Sequence, residues 1–277
     1  MSDSPNANPD IGPDNILDHA VSVRDRDIVE TVRDAVSRRQ AVLAFQPVVV
    51  AARPERVAFH EGLIRELDST GRAIPAAEFL PAVEETEIGR ILDCIALEKG
   101  LNTLAQVPDL RLSINMSARS IGYRKWTRLL ARAIERNPTV AERLILEITE
   151  SSAMLVPELV ANFMTELRRK GIAFALDDFG AGYTAFRHFR DFQFDILKID
   201  GIFTRAIATD PDNQVLARAM VAVAQQFDMF CVAEKVENAA DARYLTQIGV
   251  DCLQGYHFGA PTLTPPWLDV LDTRKKA

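Results

Sequence analysis

Histidine, cysteine and tryptophan are scarce in these 277 residues, with four, three and two respectively. His19, His60, His188 and His257 stand far apart without zinc-ligand spacing. Cys94, Cys231 and Cys252 share no such spacing either, and three thiols cannot all pair. A zinc site and a disulfide framework are therefore excluded, and reduced thiols in a cytoplasmic setting are the expectation. No run of about eighteen apolar residues occurs, and the stretch from Met1 to Asn15 is polar and proline-bearing. Neither a membrane-inserted helix nor a secretory leader is expected. Basic residues are outnumbered, 32 against 39 acidic, and the net charge of −7 disfavours a DNA or RNA polymer or an anionic membrane as partner. A small anionic ligand stays open, provided metal ions or local Arg and Lys reverse the field within a pocket. With 48% hydrophobic and 26% charged residues, the chain has the composition of a folded globular protein.

Residues 1–24 hold prolines, asparagines and aspartates with little periodicity and read as a disordered lead. In 25–40, Ile28, Val32, Ala35 and Val36 share one face of a charged segment, which predicts an amphipathic helix lying against the rest of the fold. From 41 to 277 no linker, low-complexity tract or break in composition divides the chain, and one domain is predicted. Candidate strands begin at Val42, Val57, Leu110, Arg143, Ala173, Ile196, Met229 and Cys252. Helical periodicity falls between most of them, at 76–83, 88–104, 158–169, 214–227 and 239–248. Eight strands with intervening helices predict an α/β chain, a closed (β/α)8 barrel of the TIM type. An open doubly wound sheet is the alternative, but it usually carries a Gly-rich phosphate turn after its first strand, and none is present. The first two strands are joined only by the run from Ala52 to Val57, too short for a crossover helix, so an antiparallel first strand is predicted.

The informative feature is what ends the apolar runs. Glu61 lies late in the second, Asn115 ends the third, Glu147 lies near the end of the fourth, and Asp177 and Asp178 end the fifth. Lys198 and Asp200 end the sixth, Glu234 the seventh with Glu237 just beyond, and Gln254 marks the eighth. Their mean step of about 32 residues is close to the ~30-residue size of a βα unit. Taken singly, each has an ordinary explanation: Asp177 or Asp178 as a helix N-cap, Lys198 as a partner for neighbouring acids, Gln254 as a loop residue. Together they converge, because the C-terminal ends of barrel strands meet at one mouth. Carboxylates crowded there raise one another's pKa unless something positive is bound. Carboxylate and amide oxygens without Cys or His are hard ligands suited to Mg²⁺ or Mn²⁺. Two ions bridged by an aspartate form the clamp used in phosphodiester hydrolysis, so metal-assisted phosphoryl chemistry is the reading the residues support.

These residues also carry a specific resemblance. Glu61-Gly62-Leu63-Ile64-Arg65 resembles the E-x-L-x-R signature of the EAL-domain cyclic di-GMP phosphodiesterases. The likeness continues through Asn115-Met116-Ser117, Leu146-Glu147-Ile148-Thr149-Glu150, Asp177-Asp178-Phe179-Gly180 and Leu197-Lys198-Ile199-Asp200. It ends with Ala233-Glu234-Lys235-Val236-Glu237 and Gln254-Gly255-Tyr256, covering roughly residues 40–266 in the family's order. The resemblance implies a (β/α)8 barrel with an antiparallel first strand and hydrolysis of cyclic di-GMP to linear pGpG by in-line attack of a metal-activated water. It implies two ions, Mg²⁺ or Mn²⁺: Glu61, Asn115, Glu147 and Asp177 on the first, and Asp177, Asp178 and Asp200 on the second. Glu234 is implied as general base, Lys198 as the group orienting the water, and Glu237 and Gln254 as supports of the metal and water network. Arg65 is implied as a phosphate contact, which a planar bidentate donor suits, and Gln46 of the Phe-Gln-Pro run as a contact to a guanine edge. Glu150 with Phe179, Gly180, Gly182 and Tyr183 matches the family's regulatory loop, which links the metal site to a homodimer interface; a homodimer is therefore expected. No sensor or other signalling partner is legible.

Three departures stand out. The namesake triplet reads Glu-Gly-Leu, a lost methyl that is expected to loosen local packing. The loop carries Ala181, Thr184 and Ala185 where Thr, Ser and Ser are usual. Lys235 replaces the usual glycine between Glu234 and Val236. If the strand continues, Lys235 points away from Glu234; if the backbone turns, its ammonium meets a metal or a carboxylate. Two further readings follow: a cyclic di-GMP receptor that barely hydrolyses its ligand and signals through loop and dimer surface, and a barrel hydrolase acting on another phosphodiester.

Overall fold

In the computed structural model, which describes residues 28–36, 38, 40–68, 70–182 and 189–268, the apolar runs become the staves of a closed barrel. In chain order they are β1 (Ala41–Val50), β2 (Arg53–Leu67), a short β3 (Ala73–Pro75), β4 (Leu112–Asn115) and β5 (Leu144–Thr149). There follow β6 (Ala173–Phe179), β7 (Ile196–Ile199), β8 (Phe230–Ala233) and β9 (Cys252–Gln254). Around the ring the order is β1, β9, β8, β7, β6, β5, β4, β2 and back to β1, with β3 appended to β2. Within the ring, β1 runs antiparallel to both neighbours and all other pairs are parallel. This is the α/β barrel with an antiparallel first strand read from the sequence, and its closure through β1 excludes the open sheet.

The first hairpin is tighter than the sequence reading. Its turn is Ala51 and Ala52, and β2 begins at Arg53, so most of the predicted connection is strand. Residues 53–57 are exposed, and a strand that projects into water carries no apolar alternation to reveal it. The three-residue β3 is too short for an alternation to reveal it. The crossovers hold α2 (Leu80–Val83), α3 (Glu87–Gln106), α4 (Arg124–Arg136), α5 (Glu150–Ala153), α6 (Pro157–Arg168), α7 (Gly201–Thr204), α8 (Pro211–Gln226) and α9 (Ala239–Gln247). Side-chain caps start several of them: Thr86 Oγ1 accepts from Ile88 N, Asp210 from two backbone N–H groups and Asn238 from two more. Residues 28–36 form α1, with Val32 and Ala35 buried. The predicted lead 1–24 lies outside the described residues, as do positions 25–27, 37 and 39 of the predicted helix. No helix among the described residues is long and apolar enough to cross a membrane.

Side-chain alternation divides the interior into two compartments. The outer faces of the strands, such as Leu144, Leu146 and Ile148 of β5, pack with the helices in one large core. The lumen is floored by a second cluster: Val48, Phe59, Ile145, Ala175, Ile196, Val232 and Cys252. With a period of two, the next inward position above that floor is Glu61 on β2, Glu147 on β5, Asp177 on β6 and Lys198 on β7. It is Glu234 just past β8 and Gln254 on β9. On antiparallel β1 the same level is reached two residues earlier, at Gln46.

Gly62 is not the loosened spot the sequence reading expected. A Cβ added there would sit 2.7 Å from Ile114 Cδ1, and one added at Gly100 of α3 would sit 2.8 Å from the same methyl. Ile114 thus fills the space left by two glycines. Gly62→Ala is expected to lower stability by about 1–2 kcal/mol through overpacking. Adding Ile114→Val, which removes the clashing methyl, should restore most of that loss; urea denaturation of the two singles and the double measures it.

Candidate active site

The layer above the apolar floor is polar, and Lys198 stands at its centre with its side chain fully buried. Its Nζ lies 2.6 Å from Glu234 Oε1, 2.7 Å from Glu147 Oε2, 2.9 Å from Asp177 Oδ1 and 3.4 Å from Glu61 Oε2. One ammonium therefore faces four carboxylates, three on strands β2, β5 and β6 and one just past β8. Amides brace the ring: Asn115 Nδ2 donates to Glu61 Oε1 at 2.8 Å and Gln254 Nε2 to Glu61 Oε2 at 2.7 Å. Gln254 Nε2 also reaches Gln46 Oε1, and Gln46 Nε2 donates to the Gly259 carbonyl. Gln46, implied at a guanine edge, thus has both ends of its amide engaged inside the protein.

The shortage of positive charge sorts the protons. Burial pushes Glu61 up, but the Lys198 charge and the two amide bonds outweigh it and hold this carboxyl below its ordinary range. Glu147 has burial and then the Glu61 charge against it and is pushed up to about 8. Glu234 is raised well above its usual range, by burial first and by Asp177 and Glu61 next, with Lys198 opposing. Burial opposes the charge on Lys198, but the four acids hold it well above its ordinary value. Carboxyls that keep their protons at neutral pH mark a cluster built for more positive charge than one lysine supplies.

That charge fits a divalent cation. Ligand oxygens of Glu61, Glu147 and Asp177 lie within 4.8 Å of one another, as do those of Asp177, Asp178 and Glu234, so Asp177 is common to both sets. Glu147 Oε1 is buried without a hydrogen-bond partner. Every donor is oxygen, the preference of Mg²⁺ and Mn²⁺.

Consecutive strand residues point to opposite faces, yet Asp177 and Asp178 both serve this cleft. The cause is a one-residue slip in the β6–β7 pairing between Leu176 and Phe179, with Asp178 at φ 53°. Such a bulge resets the alternation and admits the left-handed conformation that Asp tolerates better than most residues. Burial, with the charges of Asp177 and Asp200, pushes Asp178 up to about 6.

Asp200 is placed differently from the other acids. Its Oδ1 caps α7 by accepting from Ile202 N at 2.8 Å, and its Oδ2 accepts from Lys235 Nζ at 2.9 Å. Strand β8 ends at Ala233, before Glu234, and Lys235 has φ 52°. The backbone turns there, so the ammonium swings toward a carboxylate of the site. Glu237 is not brought into the cluster: it stands exposed at the rim, 3.5 Å from Arg205 Nη2. Arg65 lines the cleft with Nη1 donating to the Ile64 carbonyl. Glu150 is buried, and its Oε2 accepts from Gly180 N at 3.1 Å, beside Gly182. Gly180 needs its missing side chain, since at φ 94° a Cβ would strike Met220 and Phe203. Phe179 is buried, whereas Tyr183, Thr184 and Ala185 lie outside the described residues.

The cleft above this layer encloses about 680 Å³ and is lined also by Asp93 and Arg205, which sequence reading missed, and by Tyr256, which it quoted in a motif without a role. Asp93 comes from α3, so no strand-end rule could find it. Its Oδ2 accepts from Ser117 N at 3.1 Å and Ser120 Oγ at 2.5 Å. Burial, with the Glu84 charge adding, pushes its carboxyl up to about 7 against those two bonds.

The family model for the EAL domain matches residues 29–261. The chain is 30% identical over 239 residues to the bifunctional diguanylate cyclase/cyclic di-GMP phosphodiesterase MucR of Pseudomonas aeruginosa, covering 84% of this chain and 35% of that protein. It is 27% identical over 268 residues to the cyclic di-GMP phosphodiesterase PdeF of Escherichia coli, covering 94% of this chain and 35% of that protein. It thus spans about a third of the length of these curated relatives. Among solved structures, the PaMucR phosphodiesterase in complex with c-di-GMP superposes with a TM-score of 0.75 at 30% identity, over 87% of this chain and 99% of that one. The FimX EAL domain of Pseudomonas aeruginosa bound to c-di-GMP superposes at 0.76 with 23% identity, over 86% and 97%, a likeness of fold.

A raised carboxyl pKa means that the folded state holds its proton more tightly than the unfolded chain. The stability contributed by neutral Asp93 is therefore full below about 4 and lost as pH rises through about 7. Asp93→Asn should match the wild type in melting temperature at pH 4 and exceed it at pH 8. Equal melting curves at both pH values would show that Asp93 is not desolvated in solution.

Proposed function

The chain belongs to the EAL domain family, and from that premise we propose that it is a metal-dependent phosphodiesterase that opens one ester of cyclic di-GMP to give linear pGpG. The observation that carries this reading is the convergence of half-buried Asn115 with buried Glu61, Glu147, Asp177, Lys198, Glu234 and Gln254 in one layer beneath a ligand-sized cleft. Glu61, Asn115, Glu147 and Asp177 hold the first Mg²⁺ or Mn²⁺ in this reading; Asp177, Asp178 and Asp200 hold the second. Such ions supply, when bound, a water of lowered pKa and neutralisation of charge on the attacking and leaving oxygens.

The protein's own groups do the rest. Glu234 accepts the proton of the attacking water. Burial and its acidic neighbours raise its carboxyl against the opposing charge of Lys198, and a cation held by Asp177 would favour the ionised, basic form. Lys198, 2.6 Å from Glu234, orients that water and keeps the base in register with Asp177. Arg65 grips a phosphate, and Gln46 meets a guanine edge once it leaves its contacts with Gln254 and Gly259; Asp93 lines the same cleft. Gln254 steadies Glu61, and Glu237 acts from the rim through Arg205. Glu150 ties Gly180 and stands beside Gly182, and in this reading the loop that begins there carries the state of the site to a homodimer surface.

A second reading, a receptor that binds cyclic di-GMP with little turnover, is favoured by one observation, the lysine on Asp200. Incubation of the nucleotide with protein and Mg²⁺ or Mn²⁺, followed by chromatography, separates the two. The expected result is pGpG that EDTA abolishes, and a loss of about 10²-fold or more in turnover for Glu234→Ala with nucleotide binding retained. Undiminished turnover in Glu234→Ala would remove that residue from the base role. Binding without product would leave the receptor.

A further inference from the structure

The Lys235–Asp200 contact is a built feature. Residue 235 holds a left-handed backbone, which directs its side chain back over the mouth of the barrel. The lysine stem then packs across Gly201: a Cβ added at Gly201 would overlap Lys235 Cδ and lie 2.7 Å from its Cβ. Only a glycine at 201 leaves room for that path. At its end the ammonium meets Asp200 Oδ2 at 2.9 Å, and the other oxygen of Asp200 is occupied by Ile202 N. Both oxygens of this carboxylate are therefore engaged. Consistently, Asp200 is absent from the two groups of converging ligand oxygens, Glu61/Glu147/Asp177 and Asp177/Asp178/Glu234.

The two candidate cation positions differ in consequence. At the first, Lys198 is shared among four acids, leaving ligand oxygen in excess, with Glu147 Oε1 unpartnered. At the second, Asp200 is held by Lys235 and by Ile202 N, and the carboxylates left for an ion are Asp178, which itself hydrogen-bonds Asp200, the shared Asp177 and the group that must stay free as base. A hard divalent ion seeks about six oxygens and gains most from anionic ones, so losing one carboxylate weakens the site. The Lys235 side chain is half exposed, so a cation can displace it into water without burying its charge.

We propose that Lys235 is a tethered cation that competes with the second divalent ion for Asp200, so that the chain binds one ion firmly and the second only by displacing the lysine. The inference rests on the metal-centre part of the function proposed above and not on the identity of the nucleotide. It assigns Lys235 as the residue that sets second-ion affinity.

The test is Mn²⁺ binding to the whole chain without nucleotide, followed by calorimetry and by electron paramagnetic resonance. Lys235→Gly suits the left-handed backbone and is expected to fold at least as well as the wild type; Lys235→Gln keeps the stem and removes the charge. In both, the second Mn²⁺ should bind about tenfold more tightly than in the wild type, the first unchanged. The spin-coupled spectrum of a bridged pair should emerge at correspondingly lower Mn²⁺. Second-ion isotherms that superpose for wild type and both variants would overturn the inference and leave the metal centre standing. Absence of any Mn²⁺ binding in all three would overturn the metal centre and the inference with it.

Discussion

A single buried ammonium in contact with four carboxylates is the interaction on which the mouth of this barrel depends. Two like charges about 4 Å apart repel by about 4 kcal/mol at an effective dielectric of 20, so four ionised acids could not share the lumen unaided. Lys198 neutralises one charge and with two amides holds Glu61 ionised, while Glu147 and Glu234 escape the repulsion by keeping protons. A layer designed for stability alone would be apolar, like the floor beneath it. The excess of carboxylate is stored capacity for positive charge, and the proposed chemistry draws on that capacity.

The strand period explains how so much of this was legible in the sequence. Parallel strands of a barrel share a direction, so an inward position near the C-terminal end of one falls level with those of its neighbours. Phe59, Ile145, Ala175, Ile196, Val232 and Cys252 form the floor, and the polar residue two places on lies in the layer above. Reading the polar residue that ends each apolar run therefore recovered Glu61, Glu147, Asp177, Lys198, Glu234 and Gln254. The antiparallel β1 was legible too, because a short connection between strands leaves no room for a crossover.

What escaped the sequence did so where that period is broken or does not apply. Asp93 reaches the cleft from a helix, and Arg205 from a loop, so neither ends an apolar run. Asp178 was named from the end of its apolar run and from its motif, but the backbone slip that turns it to the site is one that no pattern of side chains encodes. The direction of Lys235 depended on whether β8 continues past Ala233, a boundary that three apolar or small residues leave undetermined. Glu237 matched its motif and still lies on the rim, because the turn at Lys235 alters where the following residues point. Gly62 shows the converse: a missing methyl is invisible as a packing defect once Ile114, distant in sequence, has grown into its place.

Helix α7 is fastened to the chemistry at both ends. Asp200 closes its first turn, and the hydroxyl of Thr204, its last residue, donates to the carbonyl of Glu234. The four residues therefore act as a short lever spanning the second cation position and the base. Between those two fastenings Ile202 stands largely exposed on the outer side of the helix. A single helical turn is thus all that separates an apolar side chain in water from the proposed base and the second candidate cation position.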